Sequence, residues 1–194
     1  MPHIIVTVAE MELLKAQKVI IICPEGDILL RGAHKGSKDL LLVSSQVLSK
    51  ASESFSKILQ RRNLPTSQSF AFTNEVKLAD DDGDALLTIC NILHGRSLQV
   101  PDSLPLEALK EIARSCNRHQ LTDVLLAWSP KWLDHAFSVA VGKELYTVLA
   151  IAVDLGVPSI LDNPVQYRSS KLSRIQDLAG ASKLLLISHV TSQD

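Results

Sequence analysis

The stretch "VSSQVLSKASESF" (43–55) contains five serines among its thirteen residues, and their role decides how the chain is read. Such a run is a linker, a nucleophile or phosphorylation site, or part of a packed helix. The apolar residues in and just after it recur at steps of three to five. They are Val43, Val47, Leu48, Ala51, Phe55, Ile58 and Leu59. The spacing predicts one helix with a single packed stripe, because a linker would not keep that period.

The individual serines have different predicted roles. Ser44 or Ser45 provides a hydroxyl where a strand passes into the helix, which suits an N-cap. Ser52 falls between Leu48 and Phe55 on the apolar stripe, so we expect a small residue where another element approaches closely. That packing makes Ser52 a poor kinase target.

Composition and charge narrow the class of protein. The 194 residues are 46% hydrophobic and 21% charged, which is typical of a folded domain. The net charge of -1 argues against direct binding of nucleic acid, which needs a basic surface. The adjacent Arg61 and Arg62 are interpreted as a solvated helix end. The three cysteines lie in apolar segments without a Cys-x-x-Cys pair, and no run has the length of a membrane span, so we expect a cytoplasmic or nuclear protein.

Patterns that carry enzyme or cofactor chemistry are missing from the sequence. There is no Walker-type phosphate loop, no dinucleotide-binding glycine motif and no nucleophile elbow. "SFSK" (54–57) matches Ser-x-x-Lys, but the companion motifs of those enzymes do not occur. In "ADDDGD" (79–84), a calcium-loop register would place Leu78 and Ile89 at ligand positions, so helix capping is the better reading. We therefore predict no catalytic, cofactor or metal site.

The order of elements follows from the spacing of apolar residues and turns. Residues 18–43 read as three short strands separated by two turn clusters, which predicts an antiparallel meander. A further strand is expected at 70–78. Helical patterns then cover 82–95, 103–118, 121–128 and 143–157. We predict an α+β fold, with the structure of 165–194 left open.

Four segments in this order resemble the BTB/POZ domain, most closely its fungal form. They are "PEGDILL" (24–30), "VSSQVLSKASESF" (43–55), "VKLADDDGDALLTICNILHGR" (76–96) and "LEALKEIARSCNRHQLTDVLLAW" (106–128). The residues that carry the resemblance are Asp27, Val43, Leu48, Ser52 and Phe55. The resemblance implies a small sheet flanked by helices over 18–130, an N-terminal segment at 1–17, and a helical extension at 131–194 whose tail is a candidate for disorder.

The family's activity is protein association, so the resemblance implies a non-enzymatic interaction module that forms a homodimer or acts as an adaptor. One alternative is a transcription-associated regulator that acts through a partner, and a weaker one is a substrate adaptor for cullin ubiquitin ligases. No cofactor and no membrane are implied.

The chain departs from the family's pattern at several positions. Ser44 and Ser45 stand where many members have a histidine and a basic residue, so Asp27 would lack a basic neighbour. The segment "QRRNLPTSQSF" (60–70) lacks the apolar-x-Glu element of cullin adaptors. We therefore take Ser44, Ser45, Arg61 and Arg62 as the candidate partner surface.

Overall fold

Four strands and seven α-helices make up the part of the chain that the computed structural model describes, which is residues 18–33, 40–61 and 74–157. The strands are β1 (Val19–Ile21), β2 (Ile28–Ala33), β3 (Leu40–Val43) and β4 (Glu75–Asp82). The helices are α1 (Ser45–Ala51), α2 (Glu53–Gln60), α3 (Gly83–Leu93), α4 (Leu106–His119), α5 (Thr122–Leu125), α6 (Ser129–Val139) and α7 (Glu144–Asp154). The predicted mixture of α and β structure is confirmed.

The four strands form one mixed sheet in the order β1-β3-β2-β4. Strands β2 and β3 are antiparallel, whereas β1 is parallel to β3 and β4 is parallel to β2. The predicted antiparallel meander of residues 18–43 is therefore wrong, because β1 pairs with β3 rather than with its neighbour in sequence.

The turn after β1 explains this pairing. The backbone amides of Ile22 and Cys23 both donate to the Leu42 carbonyl, at 3.1 and 3.0 Å, so the chain crosses the end of β3. A Cβ atom on Gly26 would lie 2.8 Å from the Val43 carbonyl oxygen, which only glycine avoids. Asp27 then donates its amide to that oxygen at 3.1 Å and begins β2 on the far side of β3.

The serine stretch forms two short helices rather than the single helix predicted. Ser52 lies between α1 and α2 in an extended conformation, with φ −149° and ψ 127°. Its amide still donates to the Leu48 carbonyl at 3.1 Å, while its hydroxyl accepts the Phe55 amide at 3.1 Å and begins α2. A side chain that caps a new helix ends the previous one, and apolar spacing alone cannot reveal such a break.

Strand β4 and helix α3 meet inside the acidic cluster. The predicted strand at 70–78 was expected to end at Leu78, but β4 continues through Asp82; residues 70–73 lie outside the described ranges. Asp82 Oδ1 accepts the amides of Asp84 and Ala85, both at 3.0 Å, so the predicted capping is confirmed for this residue. The pairing with β2 shifts at Gly32, where an added Cβ would lie 2.8 Å from the Asp81 carbonyl oxygen.

The later helices lie close to their predicted positions. Helix α3 is followed by Gly95 with φ +70° and α7 by Gly156 with φ +68°, both in the left-handed conformation that suits glycine. The 121–128 segment forms only the short helix α5, and Pro130 lies in the first turn of a new helix, α6. The predicted stripe of α4 is buried; its members are Leu109, Ile112, Ala113 and Cys116.

The main core lies between one face of the sheet and the helices. The sheet contributes alternate residues to it, namely Ile28, Leu30, Leu41, Val43, Val76 and Leu78. Trp132 of α6 and Val148 of α7 are also fully buried in this core. One core therefore includes residues from both the 18–130 region and the extension that begins at 131. Leu29, Leu40 and Leu42 form a second, smaller cluster on the other face of the sheet.

Replacing Phe55 with alanine should destabilise the protein by about 3–5 kcal/mol, because it removes a large side chain that is 1% exposed and leaves a cavity. Chemical denaturation monitored by circular dichroism measures the change. Gln46→Ala, at an exposed position of α1, is the control and should change the free energy of unfolding by less than about 0.5 kcal/mol. A loss below about 1 kcal/mol for Phe55→Ala would contradict the packing described above.

Candidate functional site

The carboxylate of Asp27 joins the start of β2 to the start of α1. Its Oδ1 accepts the backbone amide of Ser45 at 2.6 Å, and its Oδ2 accepts the Ser45 hydroxyl at 2.5 Å. Both bonds lie at the surface. No ion pair involves Asp27 within the described residues. The carboxylate is thus held by two neutral donors from one serine.

Ser44 is the N-cap of α1, and its backbone amide is hydrogen-bonded to His94, a residue that the sequence did not indicate. The Ser44 hydroxyl accepts the Val47 amide at 3.4 Å. Its own amide donates to Nε2 of His94 at 3.1 Å, and Nδ1 of His94 donates to the Cys90 carbonyl at 2.8 Å. His94 follows α3 directly, so its ring connects the end of α3 to the β3–α1 junction.

This geometry requires the neutral form of His94. A backbone amide is only a donor, so Nε2 must accept, and the single ring proton stays on Nδ1 facing the Cys90 carbonyl. Burial lowers the pKa of His94, and the nearby Arg96 charge lowers it further, whereas the bond to the Cys90 carbonyl acts in the opposite direction. The surface formed by Asp27, Ser44, Ser45 and His94 is called here the Asp27 face. Its hydrogen bonds therefore require an uncharged imidazole at His94.

A second polar cluster is buried between β4 and α4. Asp81 is 2% exposed, and its Oδ1 accepts the Ser115 hydroxyl at 2.7 Å and Nη1 of Arg118 at 2.5 Å. Its Oδ2 accepts Nε2 of His119 at 2.9 Å. Burial raises the pKa of Asp81, but the hydrogen bonds from His119 and Ser115 and the charges of His119 and Arg118 outweigh it and lower the pKa overall. A buried carboxylate with this many donors stays ionised.

His119 connects this polar cluster to Ser52 and to helix α2. Its carbonyl accepts the Ser52 hydroxyl at 2.5 Å, and its ring stacks on Phe55 with centroids 4.4 Å apart and planes 9° from parallel. The Ser54 hydroxyl lies 3.4 Å from its Nδ1. Ser52 therefore lies where the end of α4 approaches α2 closely, as its position on the stripe predicts.

Ser54, His119 and Asp81 are connected in the serine–histidine–aspartate arrangement of a hydrolytic triad, so their geometry is compared with what that chemistry requires. A serine nucleophile must be exposed to its substrate, and the histidine must pass a proton to the departing group. His119 is 2% exposed, and one face of its ring is covered by Phe55. The 3.4 Å separation from Ser54 is also at the long limit of a hydrogen bond. The arrangement is suited to holding α2, α4 and β4 together.

The residues predicted from the resemblance take two kinds of position. Val43, Leu48, Ser52 and Phe55 are buried in or beside the main core, and Asp27 lies at the surface. Ser44 and Ser45 begin α1, whereas Arg61 follows the end of α2 and is exposed. In the described ranges no hydrogen bond or ion pair links Arg61 to either serine. Arg62 lies outside the described residues.

Sequence reasoning missed His94, His119 and the inward position of Asp81. The histidines are scattered along the chain, and the bonds from His94 to Ser44 and from His119 to Asp81 span 50 and 38 residues. Asp81 was interpreted together with its neighbours as a capping residue, but it is buried at the point in β4 where the pairing with β2 shifts between Gly32 and Ala33. A two-residue period from Val76 and Leu78 would turn Asp80 inward instead, so local alternation does not predict the burial of Asp81.

Comparisons with known proteins add no family assignment. No protein-family model matches the chain, and no curated protein sequence matches it. Across 18–33, 40–61 and 74–157, no group of three or more histidine, cysteine, aspartate or glutamate residues could hold a metal ion. Nor is any helix in these ranges long and apolar enough to cross a membrane.

Acidification should weaken the fold through His94. Because the folded state lowers its pKa below the ordinary 6.5, the unfolded chain binds more protons, and stability falls as the pH drops from about 6.5 through the folded pKa. Thermal unfolding should show a loss of about 1 kcal/mol as the Ser44 hydrogen bond breaks. His94→Gln should be less stable near neutral pH and lose less on acidification. His135→Gln, at an exposed histidine, should keep the full pH dependence; an unchanged dependence in His94→Gln would contradict the assignment.

Removing the Asp81 carboxylate should destabilise the protein by more than about 2 kcal/mol, because Asp81→Ala leaves the buried Ser115 hydroxyl and the His119 imidazole without an acceptor. Urea denaturation measures the difference. Asp80→Ala, at the exposed neighbouring carboxylate, is the matched control and should lie within about 0.5 kcal/mol of the parent chain. Equal stability of the two variants would show that the cluster adds nothing to the fold.

Proposed function

We propose that this chain is a non-enzymatic protein–protein interaction module of the BTB/POZ type. The observation that supports the proposal is the way in which the four resembling segments pack. Val43, Leu48 and Phe55 share one core with α3 and α4, and Asp27 contacts the first residue of α1. Residues far apart in sequence that carry the resemblance thus belong to one packed unit.

The proposed contact surface is the Asp27 face. The Asp27 carboxylate is exposed and accepts two hydrogen bonds from the neutral groups of Ser45, so it has further lone pairs for a partner's donors. Its position is fixed by the β2 backbone and by the capped start of α1, which lowers the entropy lost on binding. A partner with an amide, hydroxyl or basic side chain at the contact matches this chemistry.

Affinity capture from cell extract with identification by mass spectrometry tests the proposal. The intact chain should retain at least one protein partner. Asp27→Ala should reduce retention of that partner at least about tenfold, the effect of losing a hydrogen bond to a charged group. Glu25→Ala removes an exposed carboxylate from the same turn and should leave retention unchanged. Capture that is insensitive to Asp27→Ala would exclude the Asp27 face as the contact surface.

Size-exclusion chromatography with light scattering provides the second arm, since homodimerisation is one form of the proposed association. A strict monomer that also retains no partner would contradict the proposal as a whole. A purified cullin N-terminal domain tests the adaptor form separately. If the cullin domain does not bind at micromolar concentration, the adaptor form is excluded, but the proposal of an interaction module is not contradicted.

A further inference from the structure

Helix α7 has an apolar stripe on the side that faces away from the core. Tyr146 is 65% exposed, Val153 is 58% exposed, and Ala150 between them is also exposed. Lys143, directly before the helix, extends the same side by one turn. Positions 143, 146, 150 and 153 follow steps of three, four and three residues, which is the spacing of a seam along which two helices pack.

The composition of this stripe differs from that of an ordinary solvated helix face. Such a face carries charged and polar side chains, and exposed apolar residues are scattered singly. Here a tyrosine, an alanine and a valine lie in consecutive turns of one face. Val139 and Val141, at the corner that precedes α7, are both 61% exposed as well. The pattern indicates a contact surface.

The charges at the two ends of α7 indicate what covers the stripe. Lys143 is exposed, and within residues 18–33, 40–61 and 74–157 it forms no ion pair. At the other end, Oδ1 of Asp154 accepts Nδ2 of Asn117 at 3.3 Å, so its Oδ2 can accept a further donor. A cation at one end and an anion at the other are complementary to a second copy of the same helix that runs in the opposite direction.

One register matches the sizes and charges of these side chains together. With Tyr146 opposite Ala150 of the second copy, a large side chain meets a small one, and the two-fold axis repeats the contact. The same register places Val153 opposite the aliphatic part of Lys143 of the second copy and brings that ammonium group next to Asp154. Two Lys143–Asp154 pairs therefore flank the apolar contacts.

We infer that α7 is a self-association surface, at which two copies of the chain pack this helix antiparallel to itself. The inference goes beyond the proposed function, because it depends neither on the BTB/POZ type nor on the Asp27 face, with which α7 shares no residue. A stable dimer buries about 800 Å² per partner, more than a helix of 11 residues provides, so the association is reversible and depends on concentration.

Sedimentation velocity of the full chain over roughly 1–300 μM measures the association. The average mass should rise from that of one chain toward that of two, and added salt should weaken the association because it screens the ion pairs. Ala150→Glu places a charge where the two helices approach most closely and should abolish the dimer. Gln46→Glu adds the same charge at an exposed position of α1; it is the matched control and should leave the dimer unchanged.

A charge exchange tests the antiparallel register. Lys143→Glu and Asp154→Lys should each weaken self-association at least about tenfold, because each replaces two attractive pairs with two repulsive ones. Both should keep the fold, since an acidic residue suits a helix N-terminus and a basic residue suits a C-terminus. Mixing the two variants should restore association, because each pair in the mixed dimer joins opposite charges. Lys50→Glu, at an exposed lysine of α1, is the matched control and should associate as the parent chain does.

Three results would overturn the inference. A parent chain that stays monomeric at about 300 μM would exclude self-association; retention of a partner through Asp27 would be unaffected, so this failure is distinct from failure of the proposed function. A mixture of Lys143→Glu and Asp154→Lys that associates no better than either variant alone would exclude the antiparallel register. A dimer that survives Ala150→Glu would assign the association to another surface.

Discussion

The hydroxyl of Ser52 accepts the amide of Phe55 and donates to the carbonyl of His119, and the packing around it depends on these two bonds. The first bond begins α2 and thereby ends α1. The second attaches the new helix to the C-terminal end of α4. A larger side chain at this 4% exposed position would separate the two helices, and a side chain without an oxygen would leave the start of α2 uncapped.

Three polar contacts of this kind connect elements that lie far apart in sequence. Asp27 bonds to Ser45, His94 bonds to Ser44, and Asp81 bonds to His119. Each contact fixes a helix end or a strand end, where backbone groups lack partners within their own element. The apolar core supplies most of the stabilisation, while these contacts determine where helices begin and how they are oriented. The Asp27 face is held rigidly for the same reason.

The candidate site could be predicted from the sequence only in part. Asp27 was singled out by the resemblance and Ser44 and Ser45 as part of a partner surface, and the structure joins Asp27 directly to Ser45. His94 could not be found in this way, because its bond to Ser44 spans fifty residues and no local pattern encodes it. Arg61 was grouped with the two serines in one candidate partner surface, but the break at Ser52 places it at the end of a different helix.

The sequence by itself determined the apolar stripe of α4 that is buried and approximately where the later helices lie. The stripe of α4, the cap at Asp82 and the glycine after α3 depend on neighbours within one or two turns, so local spacing is sufficient to predict them. Tertiary structure alone decided the pairing of β1 with β3 and the break at Ser52. Both depend on contacts between distant segments, the crossing of Gly26 over Val43 and the approach of His119 to Ser52, and such contacts leave no periodic signal in the chain.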